Sequence, residues 1–122
     1  MTELKAVLFD MDDTLLDWSG FDGDYMKLEA PRFQGVHDYL IGEGYTLPPV
    51  EKIIERFSVH ARTSWASSRE TMIAPQLLRV MMQSLADFDI PVDNLDESIV
   101  LERYNWGKIP GTVVFPDVPD AL

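Results

Sequence analysis

The chain begins with a short and almost unbroken apolar stretch. Residues 4–9 are Leu-Lys-Ala-Val-Leu-Phe, so that only Lys5 is polar. A β-strand buried on both faces of a parallel sheet has this continuous pattern, whereas a half-exposed strand alternates between apolar and polar positions. The pattern therefore predicts a strand over residues 4–9, followed by a loop containing Gly20 and Gly23.

Two long segments with apolar residues at helical spacing follow. The first extends from about residue 22 to residue 43, and Pro31 and Gly35 predict a kink or a split within it. Pro48 and Pro49 suit the first turn of the second helix. The predicted inward positions are Tyr25, Leu28, Phe33, Val36 and Leu40 in the first helix, and Val50, Ile53, Ile54, Phe57, Ala61 and Trp65 in the second.

Two further helices are predicted before a short extended run. Pro75 opens a third helix, and Asp93 is a plausible N-cap for a fourth that reaches about Tyr104. The third helix has the apolar stripe Leu77, Leu78, Met81, Met82 and Leu85. An extended run is expected at residues 112–115, and Pro116 or Pro119 could start another helix.

One strand followed by four helices is an unusual inventory. A strand of the buried parallel type needs neighbours on both edges, and only residues 112–115 offer even a weak second strand. We therefore expect the 122 residues to be incomplete as an independent folding unit.

Composition and charge exclude several classes of function. Acidic residues outnumber basic ones 21 to 10, which gives a net charge of -11 and argues against nucleic-acid binding. There is no cysteine, which excludes disulfides, thiol catalysis and cysteine-ligated zinc. No apolar run approaches the length of a membrane span and no signal-peptide pattern is present, so a cytoplasmic location without membrane association is expected.

The chemistry of the sequence is concentrated in three aspartates that directly follow the predicted strand. Asp10, Asp12 and Asp13 could form a solvated acidic turn, an ion site or a nucleophile site. A calcium loop of the EF-hand type requires glycine at its sixth position and glutamate at its twelfth. Counted from Asp10, those positions hold Leu15 and Phe21, so the calcium loop is a poor match.

Residues 7–15, "VLFDMDDTL", resemble the first motif of the haloacid dehalogenase-like hydrolases. That motif is an apolar strand followed by Asp-x-Asp-x-Thr, here Asp10, Asp12 and Thr14. The resemblance implies an α/β fold with a Rossmann-like core. Within it, residues 1–16 would be the first core strand with the nucleophile motif, residues 17–108 a four-helix cap, and residues 109–122 a return segment to the core. The 122 residues themselves are then expected to be mainly helical.

The resemblance also implies roles for the motif residues. Asp10 would attack phosphorus to form an aspartyl-phosphate, and Asp12 would act as general acid and base. Mg²⁺ would be held by the Asp10 carboxylate and the Asp12 backbone carbonyl, which would explain the crowding of negative charge. Asp13 occupies the variable position of the motif and is expected to be exposed and non-catalytic.

Three residues are candidate contacts for a small phosphorylated metabolite. Thr14 belongs to the motif, Trp18 lies where the family has a substrate-covering flap, and Arg62 lies on the predicted cap. Trp18 could instead pack on the cap, and Arg62 could belong to a solvated basic face. His37 has no partner at metal-ligand spacing and is expected to be a surface or half-buried helix residue.

Phosphoester hydrolysis is favoured within the family because Asp12 can protonate an alkoxide leaving group, which the dehalogenases do not need. Transfer of the phosphoglucomutase kind is a minor option. The family's later motifs lie beyond the cap, and the sequence ends before any of them, so we expect the chain alone to be inactive or nearly so. The alternative from another class is a non-catalytic acidic helical domain that binds a protein partner.

Several methionines and tryptophans are predicted to form the core of the cap rather than a cofactor site. They are Met72, Met81, Met82, Trp65 and Trp106. If part of this surface is normally covered by other residues, some of these side chains will be exposed. An exposed apolar surface of this kind would favour self-association.

Overall fold

The computed structural model describes residues 3–122, which are mainly helical and include a small two-stranded sheet. The chain divides into two compact units. The helical unit is Tyr25–Gly107, and the motif unit combines the described residues up to Asp24 with Lys108–Leu122. The prediction that these 122 residues are mainly helical is confirmed. No helix in the described part is both long and apolar enough to cross a lipid bilayer.

Four α-helices make up most of the helical unit, close to where the apolar spacing predicts them. They are α1 (Tyr25–Gly42), α2 (Val50–Thr71), α3 (Leu77–Ala86) and α4 (Glu97–Arg103), with a 3-10 turn at Val92–Asn94 before α4. α1 continues through Pro31, so the split considered there does not occur. Pro49 is the N-cap of α2 and precedes its first turn.

The N-cap predicted for α4 is wrong by three residues. Asp96 caps this helix, and its side chain accepts hydrogen bonds from the backbone N–H groups of Ser98 and Ile99. Asp93 lies instead in the 3-10 turn and makes no capping bond. The 3-10 turn includes Asp93, so the helix starts only after Asp96.

One apolar core holds the helical unit together. Its most buried members are Phe33, Val36, Leu40, Ile53, Ile54, Met81, Leu85, Val100 and Tyr104. Phe33 contacts the rings of Phe57 and Tyr104 edge-on, with centroids 4.9 and 5.3 Å away. Because α1, α2, α3 and α4 each contribute to this cluster, none of them could bury its apolar face alone.

α1 and α4 approach each other closely at Gly35. A Cβ atom added to Gly35 would lie 2.2 Å from the backbone oxygen of Arg103. Only glycine lets the two backbones come this near. The glycine that suggested a kink in α1 is therefore a packing residue.

Three side chains of the first two helices and their ends that were predicted to lie inward are exposed. Tyr25 is 64% exposed and Trp65 is 64% exposed, although their spacing places them with apolar neighbours. Met72, at the end of α2, is 87% exposed. The first lies at the start of α1 and the other two beyond the part of α2 that the core covers, so helical spacing alone does not bury them.

The motif unit contains the two-stranded sheet and a short helix. β1 (Leu16–Asp17) pairs antiparallel with β2 (Val113–Val114), with Leu16 opposite Val114 and Asp17 opposite Val113. The short helix α5 (Val118–Ala121) follows. The predicted extended run at residues 112–115 and the predicted helix start near Pro119 are confirmed.

The strand predicted over residues 4–9 is not formed. No residue from Glu3 to Met11 belongs to a helix or strand, and Leu8 is 96% exposed. A strand is held by hydrogen bonds to a neighbouring strand, and no described residue forms a ladder with this segment. The first strand of the described chain is instead β1, which follows the aspartates.

Candidate functional site

The aspartate motif lies in a tight backbone turn just before β1. The carbonyl of Met11 accepts hydrogen bonds from the backbone N–H groups of Leu15 and Leu16, at 2.9 and 3.0 Å. Asp13 N–H in turn donates to the carbonyl of Leu16 at 2.9 Å. The chain therefore folds back on itself immediately after Asp12, and a sharp bend joins the motif to the sheet.

Asp13 has the backbone conformation that makes this turn possible. Its φ is 59°, in the left-handed region, which aspartate tolerates better than most residues because its short polar side chain can bond locally. Its side chain is exposed. The expected exposure of Asp13 is thus confirmed. An aspartate at this position is explained by the left-handed backbone that the turn requires.

Within the turn, Thr14 is bonded to the predicted nucleophile. The Thr14 hydroxyl donates to Oδ2 of Asp10 over 3.3 Å, and both side chains are exposed to solvent. A hydroxyl that donates to a carboxylate restricts its rotation. Of the predicted site residues, Asp10 and Thr14 are therefore brought together directly.

Trp18 contacts the second aspartate of the motif. Its indole N–H donates to Oδ1 of Asp12 over 3.0 Å, and its ring meets Phe21 edge-on at 5.9 Å between centroids. A tryptophan N–H can only donate, so the carboxylate is a suitable partner. The bond holds the Asp12 side chain towards β1, and Trp18 is a neighbour of the acid as well as a candidate substrate contact.

The turn presents oxygen groups of the kind that magnesium binds. Among residues 3–122, no three or more His, Asp or Glu side chains are grouped as a complete metal site. Mg²⁺ is commonly bound by one or two carboxylates, with water and substrate phosphate completing its shell. The exposed carboxylate of Asp10 and the backbone carbonyl of Asp12 fit such a partial, oxygen-only set.

Arg62, the third candidate substrate contact, lies on α2 in the helical unit and is exposed. It forms no ion pair with another described residue. Two residues earlier, His60 Nε2 is 2.7 Å from Oδ2 of Asp87, and Arg56 also donates to that oxygen. The hydrogen bond from His60, followed by that from Arg56, lowers the pKa of Asp87.

His37 is half-buried, which confirms the expectation for this residue. Its Nε2 is 3.0 Å from the carbonyl oxygen of Pro48, and its Nδ1 is 3.7 Å from Oδ1 of Asp38. The imidazole therefore links α1 to the segment that leads into α2. This is a structural arrangement and not a metal site.

Sequence reasoning missed a polar cluster next to the core. The Tyr104 hydroxyl donates to Oε2 of Glu29 over 2.6 Å, and Arg32 donates to Oε1 of the same carboxylate over 3.3 Å. Arg32 also donates to the carbonyl of Gly107. Burial, together with the bond to Glu29, raises the pKa of Tyr104. The three-residue spacing of Glu29 and Arg32 was the one signal of this cluster in the sequence.

The methionines and tryptophans predicted to form the helical core divide into two groups. Met81 and Met82 are buried, as predicted. Trp65, Met72 and Trp106 are 64%, 87% and 64% exposed, so their assignment to the core is wrong. Trp106 nevertheless lies over the Arg32 guanidinium, 5.5 Å from the ring centroid, where a cation–π contact is favourable.

Comparison with known proteins does not assign the chain to a family. No family model, curated protein or solved structure matches the chain. The candidate site therefore depends on the geometry of this turn and on the resemblance of its motif.

Proposed function

We propose that the chain carries the nucleophile motif of a Mg²⁺-dependent phosphohydrolase of the haloacid dehalogenase-like class. In this proposal the helical unit serves as a cap, and the complete fold includes an α/β core to which residues 4–9 contribute a strand. The substrate is a small phosphorylated metabolite. The observation that carries the proposal is the order Asp10, Asp12, Thr14 on one exposed turn, with Thr14 bonded to Asp10.

The exposure of residues 4–9 is consistent with this proposal. An apolar segment with Leu8 almost fully exposed has the composition of a buried strand and lacks the hydrogen-bonded neighbours that such a strand needs. The proposed core supplies those neighbours. Pairing on both sides would also fix the position at which Asp10 leaves the sheet.

The proposed reaction has two displacements. An oxygen of Asp10 attacks phosphorus, the bond between phosphorus and the leaving oxygen breaks, and Asp12 transfers its proton to that oxygen. Asp12 then takes a proton from water, the water oxygen attacks phosphorus, and the bond from phosphorus to Asp10 breaks. Inorganic phosphate leaves and the Asp10 carboxylate is restored.

The other residues of the turn have supporting roles in this proposal. Thr14 limits the rotation of the Asp10 carboxylate, and Trp18 holds Asp12 by its indole N–H. Bound Mg²⁺ would offset the repulsion between the Asp10 carboxylate and a phosphate dianion. Trp18 bonds only Oδ1 of Asp12, so Oδ2 remains available for proton transfer.

Asp12 favours hydrolysis of phosphoesters over the other reactions of the class. Cleavage of a carbon–halogen bond releases a halide that needs no proton, so a second acid would have no task. Phosphoryl transfer to a second hydroxyl, as in phosphoglucomutase-like members, uses the same two aspartates and is the closest alternative. The competition between water and an acceptor alcohol for the aspartyl-phosphate distinguishes the two.

The nucleophile assignment can be tested without turnover. Beryllofluoride with Mg²⁺ forms a stable analogue of an aspartyl-phosphate, which ¹⁹F NMR detects. In a longer chain that includes the proposed core, we expect a Mg²⁺-dependent bound signal, its loss in Asp10→Asn, and its retention in the matched control Asp13→Asn. A signal that survives in Asp10→Asn, or none in the unsubstituted longer chain, would count against Asp10 as nucleophile.

Turnover by the 122 residues alone is expected to be close to background. Transition-state stabilisation in phosphoryl transfer relies on positioned cations and a well-held metal, and residues 3–122 contain no complete metal site. Hydrolysis of a generic aryl phosphate with and without Mg²⁺ measures this. Substantial Mg²⁺-dependent activity that disappears in Asp10→Asn would refute the expected inactivity and support the proposed chemistry.

A second candidate function has one observation in its favour. Trp65, Met72 and Ile73 are 64%, 87% and 67% exposed, an apolar surface at the end of α2 that suits a protein-interaction domain. Sedimentation velocity across a concentration series tests for self-association. We expect any association to weaken in Trp65→Ser and to persist in the control Ile41→Thr, which removes an exposed apolar side chain from α1.

A further inference from the structure

The helical unit contains a polar groove between the second half of α2 and α3, including the segment that joins them. The groove has a volume of about 360 Å³. His60, Ser64 and Ser67 line it from α2, and Arg79 and Gln83 line it from α3. No aspartate or glutamate lines it, although acidic residues outnumber basic ones 21 to 10 in the chain.

The groove arises because one face of α2 changes from apolar to polar side chains along its length. Residues three and four positions apart share a helix face, so Ile53 and Phe57 lie on the same face as His60, Ser64 and Ser67. Ile53 and Phe57 pack in the core. From His60 onwards the face carries an imidazole and hydroxyls, so apolar packing between the helices stops and a water-accessible space begins.

Several polar groups in the groove are free to bind a ligand. The hydroxyls of Thr63 and Thr71 donate to backbone carbonyls of α2, at 3.1 and 3.0 Å, and are thereby occupied. Within residues 3–122, the side chains of Ser64, Ser67 and Arg79 make no hydrogen bond or ion pair. The groove thus offers one guanidinium and two hydroxyls without protein partners.

One acidic group at the edge of the groove is already neutralised, and Glu97 lies with Arg79 on a separate neighbouring cavity. Asp87, which bonds His60 at the edge of the groove, also accepts a hydrogen bond from Arg56. The positive charge of Arg56 therefore offsets the negative charge of Asp87, and the hydrogen bond to His60 satisfies the same carboxylate. Asp87 fixes the His60 imidazole without presenting an unpaired carboxylate to a ligand.

We propose that this groove binds a small ligand bearing an oxyanion, that is, a phosphate, sulfate or carboxylate group. Arg79 supplies the cation, because its planar fork of N–H donors matches such groups, and the hydroxyls of Ser64 and Ser67 donate to the remaining oxygens. The site is separate from the aspartate turn. It does not depend on phosphoryl chemistry at Asp10.

The test is an NMR titration of the ¹⁵N-labelled chain with inorganic phosphate at constant ionic strength. We expect saturable shifts of backbone amides between residues 60 and 83. Arg79→Gln should weaken binding roughly tenfold, as expected for loss of a charge-assisted hydrogen-bonding pair. Arg69→Gln is the matched control, because Arg69 is an exposed arginine of α2 that does not line the groove.

Parallel titrations with sulfate, acetate and glycerol phosphate identify the preferred oxyanion. The arm that saturates at the lowest concentration names the class, and a preference for the ester over inorganic phosphate indicates a phosphorylated metabolite. The proposal is overturned if shifts remain linear in every arm, or if Arg79→Gln and Arg69→Gln weaken binding equally. The double variant Ser64→Ala with Ser67→Ala provides an independent test, since it should also weaken binding while leaving the arginine in place.

Discussion

The two units of this chain differ in how their apolar residues are used. In the helical unit, Leu40 and Leu85 are fully buried in a shared core. In the motif unit, Leu4 and Leu8 are 79% and 96% exposed. The residue type is the same in both cases. What differs is whether the surrounding described residues supply a surface against which leucine can pack.

Backbone hydrogen bonding explains why the predicted helices form in the helical unit while the predicted strand at residues 4–9 does not form in the motif unit. An α-helix satisfies its backbone N–H and C=O groups internally, so α1 to α4 can form and then pack their apolar faces together. A β-strand leaves these groups for a neighbouring strand to satisfy. Residues 4–9 have strand composition without such a neighbour, whereas β1 pairs with β2 and is formed.

The polar groups of the two units differ in the same way. Glu29 and Arg32 of the helical unit bond each other next to the core, and Glu29 also accepts from Tyr104. Asp10 and Asp12 of the motif unit are exposed, and each accepts one bond from a nearby side chain. The first group fixes helices to each other. The second keeps carboxylate oxygens accessible, which suits a site for a metal and a substrate.

The largest expected effect on the helical unit comes from Gly35→Ala. The new methyl group would meet the backbone oxygen of Arg103, and the contact can be relieved only by moving α1 away from α4. We expect the free energy of unfolding to fall by about 3 kcal/mol, the upper range for overpacking. Urea denaturation followed by circular dichroism measures this.

Gly42→Ala is the matched control for that substitution. Gly42 also lies in α1, and a Cβ there would meet no atom within 4 Å. Alanine should be neutral or should stabilise the helix by up to about 1 kcal/mol. Equal destabilisation by both substitutions would show that the close approach to Arg103 is not what makes position 35 sensitive.

The helical unit was largely predictable from sequence because its signals are local. The prolines and the apolar spacing located the starts of α2 and α3 to within about two residues. The wrong predictions concern which residues the other helices cover and which residue starts a helix. The spacing of apolar residues does not contain this information. Trp65 continues the apolar stripe of α2 but lies beyond the part that the core covers, and Asp93 competes with Asp96 for the same cap.

The candidate site was predictable only as a motif. The order of Asp10, Asp12 and Thr14 indicated nucleophile chemistry, and the bond from Thr14 to Asp10 was not evident from the order alone. The bond from Trp18 to Asp12 depends on the turn at Asp13, whose left-handed backbone no pattern of hydrophobicity encodes. Long-range polar pairs such as Glu29 with Tyr104 leave no spacing signal.

Tyr104→Phe tests the polar cluster beside the core. The substitution keeps the ring and removes the hydroxyl that donates to Glu29, so we expect a loss of about 1–2 kcal/mol near neutral pH. Tyr45→Phe is the control, because within the described chain the Tyr45 hydroxyl makes no hydrogen bond. Equal losses from both substitutions would exclude a specific role for the bond to Glu29.

The same tyrosine gives the helical unit a dependence on high pH. Burial raises the pKa of Tyr104 above its ordinary value of 10.0 in the folded state. The proton is therefore held more tightly when the chain is folded, and this stabilisation is complete below pH 10 and declines as the pH rises further. Unfolding measured from pH 8 upwards should show a decline in the unmodified chain that is reduced in Tyr104→Phe.

Asp96→Ala distinguishes the two candidate caps of α4. Its side chain accepts from the N–H groups of Ser98 at 2.9 Å and Ile99 at 3.3 Å, so its loss should cost about 1 kcal/mol. Asp93→Ala removes a carboxylate that caps nothing and should change stability by less than about 0.5 kcal/mol. Urea denaturation of the two variants compares them, and a larger loss from Asp93→Ala would contradict the observed cap.

Asp87→Asn tests the pair that bridges α2 and the end of α3. Bonds from His60 and Arg56 lower the pKa of Asp87, so its ionised form stabilises the folded chain above its unfolded pKa of about 3.8. That stabilisation is lost as the pH falls through the lower folded value. The difference in thermal midpoint between the unmodified chain and Asp87→Asn should thus be present at pH 6 and shrink below pH 4. Asp93→Asn should show no such convergence.

The smallest effect on the helical unit is expected from a substitution that disrupts the motif unit. Gly111 has a φ of 82°, and a Cβ there would lie 1.9 Å from the backbone oxygen of Gly20. An alanine at position 111 would therefore have a strained backbone and a methyl group that clashes with Gly20. Gly111→Ala should thus separate β1 from β2. Loss of the NOE contacts between Leu16 and Val114 would report this.

Thermal unfolding of the helices should be unchanged in Gly111→Ala, because neither Gly111 nor Gly20 belongs to the helical unit. Gly107→Ala is the control, since a Cβ at that position meets nothing within 4 Å. The bond from Trp18 to Asp12 should weaken together with the strand pairing, because β1 lies between the turn and Trp18. A large fall in the midpoint of helix unfolding would mean that the stability of the helical core depends on the motif unit. The two units would then differ in the exposure of their apolar residues but would not be independently stable.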